Sequence, residues 1–364
     1  MNLRDFDYHL PRRLIAQEPV LIRDNSRLMA VNRRTGSFEH RLFADLPEYL
    51  QPDDVLVINE TKVLPARLIG KKESGGKVEI LLVRKMKPGE TPVTAGEGLR
   101  GKRYEGSSAW ECLVKNSGKL RPPTSIFFSE EVEGELVGKT PAGLWKLFLK
   151  GKEEIDRKIQ QIGFPPLPPY IHRNGDQGAR AMDLERYQTV YARQEGAIAA
   201  PTAGLHFTAT LLKDIKKKRI AVLPLTLHVG VGTFLPVKEE EIEKYRLAGE
   251  FFEVPRETAS AVNEARASGK KVMAVGTTVS RALESCADEN GKIESKSGET
   301  DLFIVPGHRF RVVDVLVTNF HLPRSTLLML VSAFAGRELI LAAYEEAIRE
   351  NYRFYSYGDA MLIL

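Results

Sequence analysis

Cysteine is scarce in this 364-residue chain: Cys112 and Cys286 are the only two, far apart and outside any metal-ligand spacing. That usage excludes a disulfide scaffold and agrees with a reducing compartment. No apolar run approaches the roughly 18–20 residues that span a bilayer. The opening Met1-Asn2-Leu3-Arg4-Asp5 lacks the apolar stretch of a secretory signal. A cytoplasmic protein with no membrane partner is expected. Hydrophobic residues at 43% and charged residues at 28% allow an ordinary globular core. At about 100–200 residues per domain, the length predicts two domains.

Several generic signatures are also missing. The seven histidines are His9, His40, His172, His206, His228, His308 and His321. None forms a His-x-x-x-His pair with a glutamate at zincin spacing, so no metal site is expected. His206, His228 and His321 all follow apolar runs, and their convergence on a metal remains an alternative reading. Gly70 to Lys77 lacks the Gly-Lys-Ser/Thr ending of a phosphate loop and reads as a Gly-Gly hairpin. Gly230-Val231-Gly232 has no third glycine and leads to Thr233-Phe234-Leu235-Pro236 rather than a helix, which argues against a Rossmann fingerprint. No Gly-x-Ser-x-Gly elbow occurs, so a serine hydrolase has little support.

What is present is a modest basic bias, net +5. It gathers in Arg12-Arg13, Arg33-Arg34, Lys71-Lys72, Arg100 to Arg103 and Lys216 to Arg219. Each run alone reads as a solvated face; together they permit an anionic partner such as nucleic acid without requiring one.

Two textures divide the chain. From Ala66 to Lys150, strand-like runs (Lys77 to Arg84, Trp110 to Lys115, Ser125 to Phe128, Leu144 to Lys150) alternate with turn residues and show no helical period. This predicts an inserted antiparallel β-barrel, or a small sandwich, over residues 66–150. Ile155, Ile159 and Ile162 then mark one helical face, Pro165 to Pro169 a rigid extended connector, and Asn174 to Ala181 an exposed loop. Elsewhere apolar strands, polar loops and amphipathic helices alternate. Val55 to Ile58, Ala197 to Ala200, Lys271 to Val275 and Val312 to Val317 are the strands. Helices follow from about Thr208, from Thr277-Thr278 through Leu283, and over Ser325 to Ala335. Thr208 is placed to cap, with Phe207 and Leu212 as its hydrophobic staple. The expected fold class is α/β: a discontinuous α/β sandwich domain from residues 1–65 and 151–364, interrupted by the barrel. In open α/β sheets ligands bind beyond the carboxyl ends of the strands, where helix N-termini point free N–H groups. The polar strand exits therefore mark the candidate site.

The segments at those exits match no generic motif. Ala200-Pro-Thr-Ala-Gly-Leu-His-Phe207, Leu227-His-Val-Gly-Val-Gly-Thr-Phe234, Val317-Thr-Asn-Phe-His-Leu-Pro323 and Phe354-Tyr-Ser-Tyr-Gly-Asp-Ala-Met361 closely resemble the S-adenosylmethionine:tRNA ribosyltransferase-isomerases of queuosine biosynthesis. The likeness also covers Asn59 through Leu68, Ser74 through Glu79, Leu167 through Ile171 and Tyr187 through Tyr191, in order along the chain. One departure stands out. The family usually carries His-x-Met-His-x-Glu, where this chain has Tyr245-Arg246-Leu247-Ala248-Gly249-Glu250. Either those histidines are dispensable in the family or this protein's activity is altered; the intact remaining motifs favour the first.

The resemblance implies transfer of the ribosyl part of S-adenosylmethionine to 7-aminomethyl-7-deazaguanine at the tRNA wobble position. Epoxyqueuosine, adenine and methionine would be the products. S-adenosylmethionine is then a consumed co-substrate, tRNA the partner, no cofactor is needed, and a monomer is expected. The sulfonium acidifies the adjacent C5′ hydrogens, so a positioned base suffices to remove one; histidine suits such proton transfers. The candidates are His206, His228 and His321, with Glu250 and Asp359 behind them. Thr202, Thr233, Thr277, Thr278 and Asn319 are candidates for the ribose hydroxyls or the methionine carboxylate, Thr277 and Thr278 best placed for an anion. Arg67 and Arg281 are candidates for phosphate or carboxylate, or for structural salt bridges. Asn59, Gly204, Gly230, Gly232 and Tyr357 complete the motif-borne binding set. A non-catalytic RNA-binding module and a metal-dependent hydrolase are the rival classes.

Overall fold

A computed structural model of the chain describes residues 1–87, 107–141, 143–151, 154–173, 177–230, 232 and 242–364. The basic run Arg100 to Arg103 and Thr233 lie outside the described residues. The chain forms two compact units, one of Met1–Lys62, Pro168–Asn174 and Glu185–Leu364, the other of Val63–Leu167 and Gly175–Leu184.

The first unit is built on a nine-stranded mixed sheet. Its spatial order is Lys296–Thr300, Glu250–Val254, Ala221–Leu227, Val55–Asn59, Val272–Val275, Val315–Asn319, Ala360–Ile363, Arg27–Val31, Phe38–Leu42. The four central strands, from Ala221–Leu227 to Val315–Asn319, run parallel, so their carboxyl ends share one edge. Val55–Asn59, Val272–Val275 and Val315–Asn319 are buried throughout, as strands covered on both faces must be, and Ala221–Leu227 is buried toward its carboxyl end. Their period of two splits them cleanly. Val57, Ala274 and Leu316 face a cluster that holds Val262, Val279, Leu283 and Leu328 from the helices Arg256–Ala267, Thr277–Cys286 and Thr326–Ala335. Leu56, Met273 and Val317 face the opposite cluster, with Phe207, Leu211 and Ile215 of and beside the helix Ala209–Lys217. Thr208 caps its helix as the sequence predicts, accepting the Leu211 N–H at 3.1 Å, and Ser325 caps the helix Thr326–Ala335, accepting the Leu328 N–H at 3.2 Å.

The second unit contains a closed antiparallel barrel of six strands: Trp145–Gly151, Ser108–Val114, Lys77–Lys85, Arg67–Lys72, Thr124–Phe127, Val132–Lys139. The α/β architecture with an antiparallel barrel is therefore as expected. Two barrel strands, Arg67–Lys72 and Val132–Lys139, lack the apolar density that would have marked them. Their alternation is carried by few residues, Leu68 and Gly70 in one and Val132, Gly134 and Leu136 in the other.

Two sequence expectations are corrected. Gln177–Arg186 is a helix, where the sequence pattern predicts an exposed loop over Asn174 to Ala181. Arg180 donates to the carbonyls of Gln161 and Gly163 at 2.7 Å, tertiary support that local propensity does not reveal. Ala197 to Ala200 is not a strand: Gln194–Ala197 ends there, and Ile198 donates instead to the Val229 carbonyl at 3.1 Å. The apolarity of Ala199 and Ala200 belongs to a cavity wall. No single helix among the described residues is long and apolar enough to cross a membrane.

Candidate active site

A cavity of about 490 Å³ opens at the shared carboxyl edge of the parallel strands, within the size range of small-molecule sites. The strand-exit loops Ala199–Ala203, Gly276–Thr278 and Thr318–Leu322 form much of its wall. Thr202, Gly232, Glu250, Thr277, Thr278, Arg281, Asn319 and His321 line it.

The helix Thr277–Cys286 begins at the cavity. Its N-cap, Gly276, has φ 94°, a left-handed conformation that only glycine adopts cheaply, and no side chain caps the helix. The first N–H groups thus reach the cavity at the positive end of the helix dipole. One turn further in, Arg281 and Glu250 form an ion pair in which each side chain is over nine-tenths buried. Arg281 also donates to the carbonyls of Leu302 at 3.0 Å and Thr300 at 3.3 Å. Glu250 accepts the Gly230 N–H at 2.7 Å. The pair fixes one side of the wall and leaves no net charge there.

His321 is 7% exposed. Its Nε2 meets Thr318 Oγ1 at 2.7 Å, and its main chain is held by Tyr344 and Tyr8, whose hydroxyls meet its N–H and carbonyl at 2.8 and 2.5 Å. No hydrogen bond engages Nδ1 among the described residues. Burial lowers its pKa to about 3, so the ring is neutral near pH 7.

The other candidates are placed differently. His206 does not line the cavity; its ring stacks on Phe43 at 5.0 Å, with Ser26 Oγ 2.7 Å from Nδ1 and Asn319 Nδ2 3.2 Å from Nε2. Burial first, then the charges of Arg23 and Arg353, lower its pKa to about 3. His228 stacks on Phe251 and meets Thr61 Oγ1 at 2.7 Å, outside the cavity wall, with burial lowering its pKa. Asp359 is buried. Its two carboxylate oxygens accept the N–H groups of Arg27 at 3.0 Å and Arg353 at 2.8 Å, which ties down the turn carrying Tyr355 and Ser356. Burial raises its pKa, against those two N–H groups. Asn59 spends its amide on the strands: Oδ1 accepts from Thr61 and Leu227, and Nδ2 donates to Leu227 O at 2.9 Å and Thr278 Oγ1 at 3.2 Å. Gly204 packs so closely that an added Cβ would lie 2.1 Å from the Tyr191 hydroxyl. Gly230 serves Glu250, and Tyr357 is buried edge-on to Tyr187, 5.9 Å between rings. Arg67 lies in the barrel unit, paired with Glu79 at 2.9 Å.

Reading the motifs by residue type missed the aromatic part of the wall. Tyr170, Tyr187 and Tyr355 line the cavity. The Tyr170 and Tyr355 rings are 4.6 Å apart, and the Tyr170 hydroxyl meets Ser356 Oγ at 2.7 Å. Tyr355 has φ 72°, an uncommon conformation for a residue with a side chain and one that concentrates at functional sites. Tyr245 and Ala248, at the family's two histidine positions, do not line this cavity; Tyr245 packs on Phe303 at 5.3 Å. Among the described residues no three His, Cys, Asp or Glu side chains gather as a metal site would require.

The buried neutral rings make a prediction. Folded pKa values near 3 for His206 and His321 lie below the ordinary 6.5. Their contribution is therefore complete above pH 6.5 and lost as pH falls toward 3, at up to about 1.4 kcal/mol per pH unit for each ring. Denaturation midpoints should fall steadily from about pH 6.5 to 5; a flat profile there contradicts the burial of both rings.

A family model described as queuosine biosynthesis protein matches residues 3–363. Curated proteins named S-adenosylmethionine:tRNA ribosyltransferase-isomerase are similar over their full lengths. Those of Carboxydothermus hydrogenoformans and Geotalea uraniireducens are 49% and 47% identical, with 100% of both chains covered in each case. A crystal structure of an S-adenosylmethionine tRNA ribosyltransferase from Thermotoga maritima is 38% identical, covers 99% of this chain and 100% of its own, and gives a TM-score of 0.54.

Proposed function

The chain belongs to the queuosine biosynthesis protein family, and on that premise we propose that it is an S-adenosylmethionine:tRNA ribosyltransferase-isomerase. Its substrates are S-adenosylmethionine and tRNA carrying 7-aminomethyl-7-deazaguanine at the wobble position. Its products are epoxyqueuosine in tRNA, adenine and methionine. It works as a cytoplasmic monomer, with no metal or other cofactor.

The observation that carries this reading is the cavity itself. It combines an uncapped helix N-terminus at Thr277 and Thr278, a neutral buried histidine and an aromatic wall. The methionine carboxylate is taken at the helix N-terminus, where N–H groups and dipole favour an anion. His321 Nδ1 takes a C5′ proton acidified by the sulfonium. Burial makes the resulting imidazolium a strong acid, suited to passing that proton to the departing adenine. The neutral wobble aminomethyl nitrogen attacks the ribose and gives up its extra proton to solvent, and the ribose rearrangement releases methionine. Absence of Tyr245 and Ala248 from the cavity wall supports the reading that the family's two histidines there are dispensable.

Incubation with precursor tRNA and S-adenosylmethionine tests the reading: adenine and methionine should appear one for one with modified tRNA. Release without tRNA modification, or none at all, refutes it. Binding of tRNA should also weaken with salt, log affinity falling by roughly 0.7–0.9 per phosphate neutralised for each unit of log salt. A flat response would point to a free nucleoside as substrate.

A further inference from the structure

Asn319 ends a central strand in the cavity wall and is 2% exposed. Its amide nitrogen donates to His206 Nε2 at 3.2 Å and to the Tyr355 carbonyl at 3.1 Å. Both amide hydrogens are thereby spent. The orientation is not interchangeable, because a backbone carbonyl only accepts. The amide oxygen has no partner, and buried acceptors are seldom left so.

His206 completes the arrangement from behind. Ser26 Oγ donates to the Arg23 carbonyl at 3.2 Å, so at 2.7 Å from His206 Nδ1 it accepts. The ring then carries its proton on Nδ1 and presents a bare Nε2 to Asn319. Only a neutral ring does this, and burial keeps it neutral.

We propose that Asn319 is a specificity-determining residue whose amide oxygen accepts a hydrogen bond from an N–H or O–H donor of the bound ligand, and that His206 is a positioning residue that fixes this orientation. A carboxylate or carbonyl on the ligand is refused at this point, since acceptor would face acceptor. Asn319 is thereby removed from the candidates for the methionine carboxylate. The inference rests on S-adenosylmethionine as the ligand, which offers donors in its ribose hydroxyls, its 6-amino group and its α-ammonium.

The test is equilibrium binding by calorimetry, without tRNA, of S-adenosylmethionine and four analogues each lacking one donor: 2′-deoxy, 3′-deoxy, 6-oxo and desamino. With wild-type protein, at least one analogue should bind about tenfold to a hundredfold more weakly than predicted from the others. In Asn319→Ala that selectivity should collapse to within about threefold. His206→Ala should reduce it as well, and His206→Gln, which keeps one donor and one acceptor, should restore it. A purely structural His206 would lower the melting temperature of His206→Ala and leave selectivity intact. The inference is overturned if all four analogues bind wild-type protein within about threefold of the parent. Selectivity surviving in folded Asn319→Ala also overturns it. A flat wild-type series overturns the inference even where a variant fails to fold. Failure of wild-type protein to bind S-adenosylmethionine at all would overturn the substrate reading and this inference with it; binding without selectivity overturns this inference alone.

Discussion

His321→Ala is expected to lower turnover by about 10²–10⁴ while S-adenosylmethionine affinity changes little. Of the three strand-exit histidines, only His321 lines the cavity, and its Nδ1 is uncommitted. Thr318 and Tyr344 hold the ring and main chain, so the proposed base is set before substrate arrives. His228→Ala should cost far less, because that ring is spent on Thr61 and Phe251 outside the wall. Thr318→Val should fall between, keeping the base but losing its alignment. Single-turnover rates beside equilibrium binding separate these outcomes. Near-parental turnover in folded His321→Ala would remove histidine as the base and return attention to Glu250, tested as the amide.

Arg281→Met should produce the largest loss of stability, about 3–5 kcal/mol, because it strands the Glu250 carboxylate in the interior. Both partners are buried, so solvent screening gives little relief. Glu250→Gln should cost less, since an amide needs no counter-charge. The double variant Glu250→Gln/Arg281→Met should recover part of the loss, the two changes being strongly non-additive. Chemical denaturation of the three variants measures this directly. An Arg281→Met protein within about 1 kcal/mol of wild type would show the pair to be water-bridged rather than dry.

The large features were legible in the sequence because they follow from periodicity and capping. Apolar runs of strand length, followed by polar loops and capped helices, predict the α/β unit; the turn spacing after Ala66 predicts the barrel. The site was legible as a set of strand exits but not residue by residue. Asn59 and Asn319 look equivalent in sequence, each ending a buried parallel strand. In the fold Asn59 satisfies its amide against Leu227, Thr61 and Thr278, whereas the Asn319 amide oxygen is buried without a partner. Tyr357 stands out in its motif as readily as Tyr355. Only the left-handed turn at Tyr355, pinned by Asp359, decides which tyrosine reaches the cavity. Gln177–Arg186 is not legible as a helix for a similar reason, its support coming from the carbonyls of Gln161 and Gly163 outside the segment.

The central claim is that the ribosyl carbons of S-adenosylmethionine, and not its methyl group, end in tRNA. S-adenosylmethionine carrying carbon-13 throughout the ribose, incubated with precursor tRNA, should give a wobble nucleoside bearing every labelled ribosyl carbon, one for each adenine released. Label supplied in the methyl group should leave with methionine. A methyl-labelled tRNA, or ribose label confined to small molecules, would contradict the account.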